Sequence, residues 1–327
     1  PIVSYSATSP EISSLGTSSG PVDGLFYRVA PSDSLQGPVL AHQLEKNSLT
    51  GGYALLFVDD PYGRGLKDEF IAAVSQQPAL TVTYLEPAGT PDEMGMQQAV
   101  QSIIDHSPPL SYVVAITNVY SQYIVSDLQD FPLPSSGGLH NIYMADGAKS
   151  KTVLDLVEPP LTQPSKRNPH LSRISGTAPT TDTANDGGTR AYAKYDNDFR
   201  LRWKDKDPTS STYAAYAYDA FYAMAITIGA TNTKVTADKM SRLLGHINNY
   251  NAVTHKCVRD QGSANQIEVG MTSYTPAKDK LSAASGLVLL GASGPICFTP
   301  HGDRASGVYE SWEIAVGNKQ FRTETIH

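Results

Sequence analysis

The residues of this chain that could do chemistry stand where extended runs give way to the loops after them. In an open α/β sheet, ligands sit beyond the carboxyl ends of the strands, so these loops are the ones to inspect. Pro1–Ser6 reads as a short strand, and Ala7-Thr8-Ser9-Pro10-Glu11 follows as a helix start. Ser9 suits the N-cap, Pro10 the first helical position and Glu11 the positive end of the dipole. Free N–H groups at such a start, backed by the Thr8 hydroxyl, suit a carboxylate or phosphate. The same rule picks Asn118-Val119-Tyr120 and Asp146-Gly147 after two later strands. A carboxylate in a poorly hydrated cleft makes charge-assisted hydrogen bonds stronger than those in water. Each site has a plainer alternative: a helix cap at Thr8, a cap or solvated turn at Asp146, and core packing for Tyr213, at the start of an apolar helix. Asp60, in the loop after another strand, reads as a turn residue.

Signals for catalysis are weak. Gly16-Thr-Ser18-Ser-Gly20 matches Gly-x-Ser-x-Gly, but a nucleophile elbow needs a strand before the serine and a helix after it. Here a short helix precedes it and Pro21 follows. Gly63-Arg-Gly65 lacks the third glycine of a dinucleotide fingerprint, and the eight histidines show no HExxH or zinc-ligand pair. We expect no enzyme, no cofactor and no metal site.

The elements that must position these loops follow from periodicity. Tyr53–Val58 is a continuous apolar run, the mark of a buried parallel strand, and Gly65–Val74 continues at helical spacing. The unit repeats as Leu80–Leu85 with Pro91–Ile104, Tyr112–Thr117 with Tyr120–Leu128, and Asn141–Ala145 with Lys149–Val157. Such a series predicts a doubly wound α/β lobe. Pro132–Gly138 and Glu158–Pro169 read as loops. Leu171–Thr177 is a further strand, Gly188–Trp203, Thr212–Ile228 and Ala237–Asn248 are helices, and Lys256–Lys280 has no clear period and reads as loop. Leu287–Leu290, Ile296–Phe298 and Val308–Val316 are late strands, with a turn at Gly302-Asp303. A helix opening at Ser32-Asp33 takes the chain from one lobe into the other.

At 327 residues and 40% hydrophobic content, two cored domains are affordable by size. A net charge of -7 and a pI near 5.6, with no Lys/Arg run, argue against nucleic acid as a partner. No apolar stretch reaches the roughly 18–20 residues of a membrane span. Cys257 and Cys297 have no metal or redox spacing, which leaves free thiols or a disulfide.

Several motifs in order, Ser6-Ala-Thr-Ser-Pro-Glu11, Phe26-Tyr-Arg-Val-Ala-Pro-Ser-Asp33 with Gln36-Gly37, Asp59-Asp-Pro-Tyr-Gly-Arg-Gly65, Pro208-Thr-Ser-Ser-Thr-Tyr213, Ala214–Ala220 and Gly294–Phe298 with Gly302-Asp303 and Tyr309, resemble the type I periplasmic-binding-protein family. The resemblance implies an α/β fold of two doubly wound parallel-sheet lobes joined by a hinge. Lobe A would be residues 1–31 and 178–302, and lobe B residues 32–177 and 303–327. Family members begin with further strand-helix units, so lobe A is expected to lack its N-terminal part, with more chain upstream of Pro1 or another chain covering the strand edge.

By the same resemblance, the Ser6 carbonyl and Thr8 hold the amino and carboxylate groups of an amino acid, and Asp146 pairs with its ammonium across the cleft from Thr8. Asn118 or Tyr120 lines the cleft, and Tyr213 lies over the ligand side chain. The implied function is an extracytoplasmic solute-binding protein that closes on a small polar ligand, an amino acid first, for an ABC permease. The alternative is the ectodomain of a sensory receptor with an attached signalling domain. Location would be periplasmic or extracellular, a lipid anchor upstream being one form. In that oxidising compartment Cys257 and Cys297 of one lobe are expected to pair, which requires Cα atoms within about 7 Å.

Overall fold

The structure is a computed structural model that describes residues 1–15, 24–46, 51–85, 92–117, 121–131, 141–157, 171–181, 188–204, 206–208, 211–254, 256–258, 265–315 and 320–326. The loops expected at Pro132–Gly138 and Glu158–Pro169, and the Gly16–Gly20 pattern, lie outside these residues. The fold is divided into two compact units, Pro1–Ser32 with Pro179–Val308, and Asp33–Ala178 with Tyr309–His327. Residues 303–308 and Ser32 thus fall in the first unit, where the sequence placed them in the second, and Ala178 falls in the second rather than the first. For 303–308 the reason is chemical: Arg28 Nε bonds Asp303 Oδ1 at 2.7 Å, and Arg304 donates to the Val29 and Pro295 carbonyls and to Ser293.

The chain starts in the first unit with β1 (Ile2–Ser4), α1 (Glu11–Leu15) and β2 (Phe26–Arg28), β1 and β2 pairing in parallel. It enters the second unit through α2 (Asp33–Lys46). Then come β3 (Tyr53–Val58), α3 (Pro61–Ala73), β4 (Leu80–Tyr84), α4 (Glu93–Ile104), β5 (Tyr112–Ile116), α5 (Ser121–Asp127), β6 (Asn141–Met144), α6 (Lys151–Val157) and β7 (Ile174–Thr180). The hairpin β13 (Val308–Ala315) and β14 (Gln320–Ile326) completes a sheet of order β14-β13-β7-β6-β5-β3-β4. From β7 to β4 neighbouring strands pair in parallel.

Both faces of this sheet are buried, as the unbroken apolar run of β3 requires. Ala54, Leu56 and Val58 pack on one side with residues of α4, α5 and α6. Tyr53, Leu55 and Phe57 pack on the other with α2 and α3. The helix α2 turns toward the sheet a face that its apolar spacing alone does not mark: Asp33, Gln36, Gly37, Leu40, Ala41 and Leu44 are buried, while Leu35 and Val39 are only partly so. Gly37 has a steric reason to be glycine, because a Cβ there would lie 2.6 Å from Glu69 Cβ and 2.7 Å from the Phe70 nitrogen of α3.

Asp60 performs the turn function read from the sequence. As N-cap of α3 its carboxylate accepts from the Gly63 N–H at 2.7 Å, with Pro61 in the first helical position. Asp60→Ala should lower stability by about 1 kcal/mol. A thermal melt of the variant indistinguishable from the parent would contradict this.

The first unit continues with α7 (Gly188–Arg202), α8 (Ala214–Ala230), α9 (Ala237–Leu244), β8 (Tyr250–Asn251), β9 (Lys256–Cys257), β10 (Gln266–Glu268), α10 (Tyr274–Ala283), β11 (Val288–Gly291) and β12 (Gly294–Ile296), and a core centred on α8 joins that helix to α9, β10, α10, β11 and β12. The polar residue within that apolar helix, Asp219, is fully buried and accepts from the Ala292 N–H, the Ser293 N–H and the Ser293 hydroxyl at 2.6–2.7 Å. Burial pushes its carboxyl up to about 6, against the pull of those bonds and of Arg304. Asp219 therefore ties α8 to the β11–β12 turn. Among the described residues, the stretch expected as loop at Lys256–Lys280 holds β9, β10 and most of α10. No period marks these elements, because α10 buries only Ala277 and Leu281 and β10 buries Ile267 alone. Cys257 and Cys297 are joined, with Cα atoms 5.8 Å apart. Among the described residues no helix is long and apolar enough to cross a membrane.

Candidate functional site

The strand order of the second unit marks where a candidate site lies. From β3 the chain steps outward to β4 and then returns past β3 to β5, so the winding reverses between β3 and β5. Ligands of open α/β sheets bind outside the carboxyl ends of strands at such a switch point. Four residues mark these ends: Tyr62 after β3, Tyr84 closing β4, Thr117 after β5 and Asp146 after β6. The sharp β3–α3 turn that presents Tyr62 demands Gly63, where a Cβ would lie 1.9 Å from the Val58 carbonyl oxygen.

Asp146 is 7% exposed, and the Tyr62 hydroxyl donates to its Oδ1 at 2.9 Å. Since β3 and β6 flank β5, this bond spans the head of β5, a width of about 9–10 Å between the outer strands. Burial of the Tyr62 phenol, and then the charges of Asp146 and Asp33, push its pKa well up. The phenol is therefore a neutral donor at physiological pH. Asp33 and Gln36 come from the first turns of α2 and are fully buried, and Gln36 Nε2 donates to the carbonyl and the Oγ1 of Thr177 at 3.2 Å each. Two buried carboxylates and a phenol thus gather at this end of the sheet, an arrangement suited to a cationic donor.

The alternative reading of Asp146 as cap of α6 does not hold. Ser150 takes that place, its Oγ accepting from the Val153 N–H at 3.2 Å, while Asp146 opens a separate short turn, 146–148. Lys149, next along, pairs with Glu310. Asn118 and Tyr120 lie outside the described residues. At the other end of the sheet a cavity of about 530 Å³ is lined by His42, Lys46, Ser175, Trp312, Glu313 and others. It opens at the amino ends of β6 and β7, away from the switch point.

In the first unit, Thr8 and Ser9 are buried and Ser6 is exposed. Ser9 Oγ accepts from the Glu11 N–H at 3.3 Å, the cap expected from the sequence. Beneath the loop runs Arg28, 0% exposed, which donates to the Ala7 carbonyl at 3.3 Å, the Ser9 carbonyl at 2.8 Å and the Ser13 hydroxyl at 2.8 Å. A fixed guanidinium thus holds the Ser6–Ser9 loop from below, anchored by Asp303. Tyr213 directly precedes α8, its ring 6.0 Å from that of Tyr216 and packed, partly buried, against the core.

Residues 1–316 match the family described as the receptor family ligand binding region. The chain belongs to this family. Its fold is the type I periplasmic-binding-protein fold, and the solved structures most like it include three such members. One is the branched-chain amino-acid transporter substrate-binding protein LivJ of Streptococcus pneumoniae in complex with isoleucine, at 14% identity and a TM-score of 0.63, covering 100% of this chain and 72% of that one. A second is the leucine-binding protein LivK of Thermotoga maritima, at 16% and 0.62, covering 100% and 73%. A third is an ABC-transporter solute-binding protein of R. palustris in complex with benzoate, at 12% and 0.61, covering 100% and 70%. No curated protein sequence matches the chain.

In this receptor-family chain, sequence reasoning singled out Asp146 but not the residues that surround it. Tyr62 was placed with Asp60 in the loop after a strand but given no ligand role, and Thr117 was read as the last residue of a strand. A signal for both existed in their position just past a strand end. Arg28 was visible only as a motif letter and Asp33 only as the opening of a helix, since a buried charge is recognisable from what surrounds it in space. Among the described residues no group of three or more His, Cys, Asp or Glu converges as a metal site would require.

Proposed function

We propose that this receptor-family chain is a non-catalytic, extracytoplasmic solute-binding protein for an amino acid, serving an ABC-type permease. One observation carries the reading: a buried carboxylate, Asp146, oriented by a neutral phenol, Tyr62, at the switch point of a doubly wound sheet. A carboxylate accepts several hydrogen bonds, and in a site poor in water its attraction for an ammonium exceeds that in solution. On the family resemblance, the ligand carboxylate is assigned to the hydroxyl and N–H of Thr8 and the amino group to the Ser6 carbonyl, in the loop held by Arg28. Closure about the ligand by a hinge motion belongs to the same reading. The disulfide favours an oxidising compartment.

The test is native mass spectrometry of the purified protein for a retained small molecule, followed by calorimetry against the twenty amino acids and benzoate. A micromolar or tighter Kd, about -8 kcal/mol or better, for an amino acid supports the reading. Binding of benzoate alone, or of nothing, overturns it. The receptor-ectodomain reading, favoured by the family's description, keeps the site and changes what senses it; recovery of a signalling protein rather than a permease on cross-linking in cells would select it.

Tyr62→Phe isolates the orienting bond. Losing one hydrogen bond to a charged group should weaken amino-acid binding by about 1.5–3 kcal/mol, with the fold intact. An unchanged Kd would show that Asp146 needs no help from the phenol.

A further inference from the structure

Thr117 is the residue of this site whose chemistry remains unused. It is fully buried, and nothing among the described residues hydrogen-bonds its Oγ1. Its place is fixed by the sheet. Continuing the parallel register Ala115↔Met144 by two residues sets Thr117 beside Asp146, and continuing Phe57↔Ile116 by one sets it beside Val58. Adjacent strands lie about 4.8 Å apart, so the hydroxyl belongs to the same end as the Asp146 carboxylate, below the Tyr62–Asp146 bond that spans the head of β5. A buried hydroxyl without a partner is disfavoured, and a binding site can hold one because the ligand completes it.

We infer that Thr117 Oγ1 is a second acceptor for the ligand's ammonium, alongside Asp146, and so a specificity residue that makes the site select amines over the matching amine-free acids. The inference rests on the amino-acid reading above. An ammonium carries three N–H donors and a single carboxylate neighbour leaves some of them unmet, while the hydroxyl, whose rotor is free to turn, accepts one. A site built to bond a group rejects the analogue lacking it, because its own polar atom is then left buried and unpaired.

Calorimetry on Thr117→Val, Thr117→Ser and the parent tests this, using the twenty amino acids and, for each that binds, the carboxylic acid lacking the amino group. Valine keeps the shape and removes the hydroxyl. It should weaken amino-acid binding roughly 10- to 100-fold and leave the amine-free acid within twofold, while the unliganded protein melts no lower than the parent. Serine should stay close to the parent. If valine lowers the melting temperature by several degrees, Thr117→Ala replaces it, and the expected split between alanine and serine is the same. Parent-like amino-acid affinity in the valine or alanine variant, or an equal loss for the amine-free acid, overturns the inference and leaves the amino-acid reading standing. A parent protein that binds no amino acid overturns both.

Discussion

Asp146→Ala should abolish amino-acid binding. The carboxylate is 7% exposed and held by Tyr62, so it meets the ligand already oriented and already largely desolvated. Removing one partner of a buried ion pair strands the other, at about 3–5 kcal/mol, or roughly two to four orders of magnitude in Kd. Asp146→Asn separates charge from shape, since the amide oxygen can still accept from Tyr62 while the negative charge is gone. It should fall between the parent and the alanine variant for amino acids and matter little for an amine-free acid. The measurement is calorimetry on all three proteins with the tightest-binding amino acid of the panel. Parent-like affinity in the asparagine variant would remove the ammonium from the site and with it the assignment of ligand class.

Breaking the Cys257–Cys297 bond should lower the stability of the first unit by about 4 kcal/mol, the chain-entropy expectation for a closed loop of 40 residues. The loop it closes carries α10 and the strands β10 and β11, with β9 and β12 at its ends. The ribbon of β8 and β9 has only two residues in each strand, with Tyr250 opposite Cys257, and such a ribbon is marginal without a covalent tie. Cys297 is fully buried, so the double serine variant also places a hydroxyl in the core and tends to the high side of the figure. Denaturant unfolding with and without reductant checks it. Because the two units have separate cores, the expected signature is a shifted transition for the first unit and an unmoved one for the second. Coincident curves in both conditions would mean that the native packing of β9 and β12 suffices without the bond.

Local signals were legible where short-range physics sets them. The apolar run Tyr53–Val58 and its repeats announced a parallel, doubly wound sheet, because a strand covered on both faces has no polar positions to alternate with. Asp60 ahead of Pro61 announced a cap, since the bond it makes reaches only three residues along. The position of Asp146 just past a strand end marked it as a candidate, and its role as a cap was settled only by Ser150 occupying that place.

What the tertiary structure alone decided is which of these loops share a neighbourhood. Tyr62 and Asp146 are 84 residues apart and meet because β3 and β6 both flank β5, an order that differs from the order of the chain. Thr117 joins them for the same reason. The buried polar face of α2 was hidden because, of Leu35, Val39, Leu40 and Leu44, only Leu40 and Leu44 lie on the buried face, and Asp33, Gln36 and Gly37 share it. Arg28 could not be assigned because its partners, Ala7, Ser9, Ser13 and Asp303, span 296 residues of chain and are gathered by packing. Periodicity and capping are read within a turn or a pleat, so the sequence by itself determined the elements and the class of fold. Strand order and burial arise from long-range contacts, and they alone brought Tyr62 and Asp146 together from separate segments.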